Sequence, residues 1–255
     1  MFARFMHLLL LSSLCSCAFG APYSHSSEET DPELAAGYFE GDLEVELGRN
    51  GLLKETRSWP NGIVRLLRFY LILDAAHVAY IELAMKLIEL SSCVHFVPAD
   101  EQEQNYVFVS TSETGCTSMV GYMPGQRLLR LTPKALDKGC FQLGVIQHEL
   151  LHTLGFFHQH NSPDRDDYVR IIEENISEGR ENAFRKYDYT QLGNYDQPYD
   201  YGSILHYGQF GFSKNGQPTI VALEPDKQSL MGQRLRMSET DINRLNTMYK
   251  CPIIL

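Results

Sequence analysis

A chain of 255 residues with 44% hydrophobic content can bury a substantial core and is expected to form one large or two small domains. Its formal charge of −10 and the lack of any Lys/Arg cluster exclude a nucleic-acid partner, since phosphate binding needs clustered cations. No apolar run is long enough to span a bilayer, which excludes a membrane-spanning protein.

At the N-terminus Arg4 precedes an apolar run over residues 8–11, and Ala18-Phe19-Gly20 follows. This charge, apolar, small order is that of a secretory signal peptide over residues 1–20, so the product is expected to be secreted. Residues 21–49 carry eight carboxylates (Glu28, Glu29, Asp31, Glu33, Glu40, Asp42, Glu44 and Glu46), and their first base is Arg49. Such a segment is not expected to fold alone. Removing residues 1–49 leaves 24 acids against 20 bases, so most of the acidity belongs to a piece that can be discarded. Within it, Phe39-Glu40-Gly41-Asp42-Leu43 brackets a carboxylate between bulky apolar residues; by composition alone Asp42 reads as a solvated acid.

Secretion changes the cysteine arithmetic. Cys15 and Cys17 leave with the signal, and Cys93, Cys116, Cys140 and Cys251 remain. An even count in an oxidising compartment predicts two disulfides, with three pairings open, and no CxxC pair supports a second metal site.

Folded-domain composition begins at Trp59-Pro60. Residues 63–73 alternate as a strand, and residues 75–90 form an amphipathic helix with Val78, Ile81, Met85 and Ile88 on one side. Residues 93–97 and 106–109 read as further strands, 115–125 as a turn-rich stretch, and 127–131 as an exposed strand near the site, to whose edge an extended peptide is expected to add. Interleaved helix and strand predict an α+β domain, a sheet with helices packed on it.

A helix from residue 142 to 152 then carries the chemistry. His148 and His152, four apart, point two imidazoles from one face at a single metal, and Glu149 lies beside them. Gly155 lets the chain reverse and bring His158 round as a third ligand. A histidine pair at this spacing is by itself usually surface decoration or satisfied core. The glutamate, the glycine and the third histidine at their required spacings make it a metal site, and three neutral nitrogens leave one position open for water.

Beyond Val169, residues 170–187 read as helical in part. Asn175-Ile176-Ser177 is a candidate N-glycosylation acceptor, and residues 188–232 predict irregular structure with turns. Ser238 and Asp241 resemble an N-cap for a final helix over 239–249, which delivers Cys251.

The run from His148 to Tyr168 resembles the astacin family of zinc metalloendopeptidases, among the metzincins, and in length the chain is similar to short hatching-enzyme-like and ovastacin-like members. The family pattern HExxHxxGFxHE followed by DRDxY is matched by residues 148–156, His158, Asp164-Arg165-Asp166 and Tyr168. Its later S-x-M-H-Y turn is matched by Ser203-Ile204-Leu205-His206-Tyr207. The resemblance implies a zincin-type fold, an N-terminal twisted sheet with the zinc-binding helix and an irregular C-terminal subdomain ending in a helix, over a catalytic domain of residues 50–255. It implies one Zn2+ per chain on His148, His152 and His158, with Glu149 as catalytic base. Tyr207 would ligate zinc in the resting enzyme and swing away to stabilise the transition state. Asp42 matches the aspartate of the family's FxGD element, which caps the zinc of the zymogen. The implied disulfides are Cys93 with Cys251 and Cys116 with Cys140. Three positions depart from the pattern: Gln159 stands for the glutamate that holds the freshly cut N-terminus, Leu205 for the methionine of the turn, and Ser162 for an arginine.

The implied reaction is hydrolysis of extracellular proteins by a monomer, after a trypsin-like protease cuts behind Arg49 and frees Asn50. Relatives of this minimal layout, without EGF-like or CUB modules, include enzymes that digest egg envelopes, one stored in the secretory granules of eggs, and equally short digestive enzymes, so an egg-coat protein is one expected substrate among these. The competing expectation is a secreted zinc-bearing binding protein that has lost catalysis, supported by Leu205 and Gln159 alone.

Overall fold

The computed structural model describes residues 31–45, 58–68 and 73–252. The expected signal peptide, the cut behind Arg49 and the new terminus at Asn50 lie outside these residues. Strand β1 is the short stretch Leu43–Glu44, and β2 spans Ile63–Arg68. In β2, Val64 and Leu66 are buried while Ile63, Arg65 and Leu67 are half-exposed, the period-two alternation of a strand with one face on a core. Helix α1, Ala75–Ser91, begins where the Asp74 carboxylate accepts the His77 backbone N–H. It buries Ile81, Ala84, Met85 and Ile88, one stripe at helical spacing, with the expected Val78 half-buried at its outer end. Strands β3 (His95–Pro98), β4 (Tyr106–Ser110), β5 (Cys116–Met119) and β6 (Gln126–Leu131) follow, then helix α2, Leu143–Thr153.

The six strands form one sheet in the order β1-β5-β6-β4-β2-β3, in which only β5 and β6 run antiparallel. Two expectations change here. The stretch 115–125, read as turns, contains β5: Thr117 and Ser118 are polar but fully buried, and Gly115 and Gly121 at its flanks hid a strand that pairing with β6 creates. The stretch 127–131 is not an exposed edge, because β6 is bonded to β4 on one side and β5 on the other, and Leu129 and Leu131 are fully buried. Residues of the N-terminal segment occupy the outer edge of β5, with Leu43 opposite Ser118 and Glu44 opposite Met119 in parallel register.

The C-terminal half has little regular structure, as its Gly, Pro, Asn and Tyr content predicts. Where residues 170–187 read as partly helical, the chain forms β7 (Val169–Ile171) and two isolated 3-10 turns, Glu173–Asn175 and Glu181–Phe184. The Ile172 N–H goes to the Thr219 carbonyl and β7 pairs with β8 (Ile220–Ala222), so non-local bonds take the backbone groups a helix would use. Helix α3, Glu239–Met248, starts at a reciprocal capping box between Ser238 and Asp241.

The main core lies between the sheet, α1, α2 and α3; a second, aromatic core around Phe184, Tyr199, Tyr201 and Tyr207 fills the C-terminal half. Cys93 is bonded to Cys251 and Cys116 to Cys140, the pairing that the family resemblance implies. Helix α2 packs in the main core and is buried from Gly144 to Thr153, which sets every residue of its motif inside the molecule. Among the described residues no helix is long and apolar enough to cross a membrane.

Candidate active site

Helix α2 ends where its register needs it to. Gly155 adopts φ 112° and its N–H caps the His152 carbonyl, so the chain turns and returns His158 to the face that carries His148 and His152. The three imidazoles are fully buried and their rings lie 4.5–5.3 Å apart. Each is held from behind through Nδ1. His148 donates to the Ile204 carbonyl at 2.8 Å and His152 to the Phe156 carbonyl at 2.7 Å, since a carbonyl can only accept. That fixes the tautomer and leaves the Nε2 lone pairs pointing at a common centre. His158 Nδ1 faces the Glu40 carboxylate at 2.9 Å.

At the centre lies the carboxylate of Asp42, from the N-terminal segment. Its Oδ2 is 3.0 Å from His148 Nε2 and 3.7 Å from His152 Nε2, and its Oδ1 is 3.4 Å from His158 Nε2. Asp42, His148, His152 and His158 are the one group of this kind among the described residues able to hold a metal ion, with ligand atoms all within 4.8 Å of one another. The donors fit zinc: three imidazole nitrogens and a carboxylate oxygen are its ordinary ligands. So do the unsatisfied atoms. His148 and His152 Nε2 face each other at 2.9 Å, and Asp42 Oδ1, His158 Nε2 and both oxygens of Glu149 are buried without a hydrogen-bond partner. A bound cation with its coordinated partners would satisfy this set.

The electrostatics are those of a dry site. Burial, with the neighbouring His152, pulls His148 down to about 4. Burial opposes the protonation of His158, but Asp42 and Glu40 outweigh it and raise that ring to about 9. Burial and then the charge of Asp42 push Glu149 well above the carboxylate range.

The turn Ser203–Tyr207 closes the site from the C-terminal half. Asp241 accepts from the Ser203 hydroxyl at 2.6 Å and the Ile204 N–H at 2.9 Å, which ties the turn to the start of α3. Leu205 is buried in the main core, as a packing residue in place of methionine requires, and the Gln159 N–H bonds its carbonyl. The Tyr207 ring sits 4.7 Å from that of His158, and its hydroxyl donates to the Glu40 backbone carbonyl. Gln159 is buried with its amide nitrogen unpartnered, and the Ser162 hydroxyl caps Asp164 at 2.8 Å. Asn175 stands apart from the histidines. Its amide N–H donates to the Pro218 carbonyl at 2.7 Å, and its Oδ1 accepts from the Asn215 amide at 2.8 Å.

Several participants were not singled out from sequence. Glu40 bonds His158 and the Tyr187 hydroxyl, and it lies inside the Phe39-Glu40-Gly41-Asp42 run that flagged Asp42. Glu33 accepts from Arg234 Nε at 2.7 Å in full burial; burial opposes its charge, yet Arg234 holds its carboxyl down at about 2. His160 stacks on Tyr207 with ring centroids 3.9 Å apart. The residue types carry no local signal for these contacts, whose partners are remote in sequence.

Comparison with known proteins agrees with this geometry. A family model described as Astacin, a family of peptidases, matches residues 52–250. The chain is 43% identical over 231 residues to Seminal metalloprotease 1 of Drosophila melanogaster, covering 87% of this chain and 90% of that one. It is 39% identical over 222 residues to Low choriolytic enzyme of Oryzias latipes, covering 83% and 78%. Among solved structures it is similar to High choriolytic enzyme 1, a hatching enzyme zinc-protease from Oryzias latipes, with TM-score 0.68 and 36% identity over 77% of this chain and 94% of that chain.

Proposed function

The chain belongs to the astacin family of zinc metalloendopeptidases, and from that premise we propose that it is a secreted zymogen whose N-terminal segment, cut behind Arg49, plugs a site built to hydrolyse extracellular proteins. The observation that carries this reading is the position of Asp42, with its carboxylate among three histidine Nε2 atoms beside a buried, unpartnered Glu149.

When bound, zinc supplies the Lewis acid that polarises a peptide carbonyl and acidifies the attacking water. His148, His152 and His158 hold it, oriented from behind by Ile204, Phe156 and, in the proform, Glu40. Glu149 takes the proton of the attacking water and passes it to the departing amine. After burial, the charge of Asp42 is the largest cause that raises the Glu149 carboxyl, so removing it shifts Glu149 back toward the ionised form a base requires. Tyr207, once its hydroxyl leaves the Glu40 carbonyl, becomes a donor for the oxyanion, a contact that strengthens in the transition state. The outer edge of β5, vacated by β1, is where an extended substrate adds as a strand, which replaces the β6 edge expected from sequence.

Relatives named as choriolytic, hatching and seminal proteases support an extracellular substrate, and an egg-envelope protein is our specific proposal. The test is cleavage of casein and of isolated egg envelopes by the full chain before and after trypsin treatment. The expected result is activity after treatment only, abolished by a chelator and restored by zinc. Activity that ignores the chelator would overturn the reading.

A further inference from the structure

The N-terminal segment grips the sheet edge with a side chain as well as its backbone. Two residues beyond Asp42, Glu44 reaches across β5, where its Oε1 accepts from the Thr117 hydroxyl at 2.6 Å and pairs with Arg130 Nη1. Thr117 and Arg130 are cross-strand partners in the β5–β6 register, so hydroxyl and guanidinium stand side by side on one face. The Glu44 side chain is only 11% exposed and that of Arg130 27%; the carboxylate is seated in the sheet surface. Among the described residues Glu44 is the ion-pair partner of Arg130, while Glu113, on the loop lining the same hollow, points into solvent.

We propose that Arg130 and Thr117 form a subsite for a carboxylate side chain of the substrate, two residues from the scissile peptide group on the arm that pairs with β5, and that Glu44 is its occupant before maturation. This rests on the proteolytic reading above and on loss of the segment. The Glu44 position is read relative to Asp42: the carboxylate among the histidines marks where the reacting group lies, and Glu44 is two residues further along, in the strand that pairs with β5. A substrate strand that takes over the β5 backbone brings a side chain over the same pair of donors. The guanidinium is a permanent charge whose planar fork matches a carboxylate. Glutamine in that position satisfies Thr117 but leaves the cation unpaired, so discrimination between Glu and Gln isolates the contribution of Arg130.

The experiment uses the full chain matured with trypsin and internally quenched peptides carrying Glu, Gln or Lys at each of the three residues on either side of the cleaved bond. At one position on one arm, kcat/KM is expected to favour Glu over Gln by roughly tenfold, and the ratio to shrink at high salt because the pair is partly exposed. Arg130→Gln should bring the ratio to about one, Arg130→Lys should keep a preference for Glu, and Arg130→Glu should invert it toward Lys. Equal rates for Glu and Gln at every position, or a Glu preference that survives Arg130→Gln, overturn the subsite while leaving proteolysis intact. A matured chain that cuts none of the peptides overturns the proteolytic reading and the subsite with it.

Discussion

Glu40 Oε2 lies 2.9 Å from Nδ1 of His158, so one carboxylate of the N-terminal segment orients the third histidine from behind while another, Asp42, sits at its front. Groups that fix a ligating histidine in this way typically change metal affinity about 10- to 100-fold. Glu40→Ala in the uncut chain is therefore expected to lose zinc to a competing chelator at correspondingly lower chelator concentration. Tyr187→Phe, which removes the other partner of Glu40, serves as the control for packing. An unchanged chelation curve would show that His158 is oriented by other groups.

Asp42→Ala should give the uncut chain measurable peptidase activity, because the carboxylate among the histidines is gone. That activity should stay below the matured level, since β1 still covers the β5 edge. Hydrolysis of a quenched peptide with Arg49 also mutated, to prevent cleavage, reads this out. A double variant as inert as the single Arg49 variant assigns latency to strand coverage alone.

Glu149→Gln keeps the size of the side chain and removes its basicity. The matured variant should retain stoichiometric zinc by elemental analysis and lose activity by about 10²–10⁴-fold, the usual worth of a positioned general base. Wild-type turnover would remove Glu149 from the mechanism.

At Gly144 a Cβ would stand 1.9 Å from the backbone carbonyl oxygen of Arg234, a contact that no rotamer change relieves. Alanine favours a helix by about 1 kcal/mol over glycine. Forcing apart well-packed elements costs about 1–3 kcal/mol or more, so Gly144→Ala should lower the melting temperature. It should also weaken zinc retention, because the shift is applied to the helix bearing two ligands. A stabilised variant would mean that α2 and the Arg234 loop separate easily.

His77 bonds Asp74 through Nδ1 at 2.7 Å and the Lys134 carbonyl through Nε2 at 2.8 Å, and these two acceptors, Asp74 first, raise its pKa above 6.5. A folded-state value above the unfolded one means that the imidazolium is favoured by folding. Its stabilisation is complete below pH 6.5 and fades as pH rises through the folded value. The difference in melting temperature between wild type and His77→Gln should therefore be largest near about pH 5.5 and shrink toward about pH 9. A difference independent of pH would assign His77 to packing against Phe141.

The parts of the molecule legible in the sequence are those fixed by local chemistry. His148, Glu149, His152, Gly155 and His158 lie within one helix and one turn, and Ser238 with Asp241 signals the start of α3 through a reciprocal cap. Strand β5 escaped because its residues are polar and glycine-flanked; hydrogen bonds to β6 and to the N-terminal segment make it a strand. Residues 170–187 carry a composition compatible with helix, and contacts with residues near 220 override it. Glu33, Glu40 and Glu44 look like members of a solvated acidic run. Each becomes a buried or half-buried partner only through Arg234, His158 and Arg130, which are 201, 118 and 86 residues away.

The bond between Cys93 and Cys251 closes a covalent ring that contains His148, Glu149, His152, His158 and Tyr207. A nick inside that ring leaves both fragments fastened together, whereas residues 31–45 lie outside it and are held by non-covalent contacts such as the β1–β5 pairing and the bond from Arg234 to Glu33. A cut at Arg49, as proposed, would leave residues 31–45 joined to the rest by those contacts alone and would not open the ring.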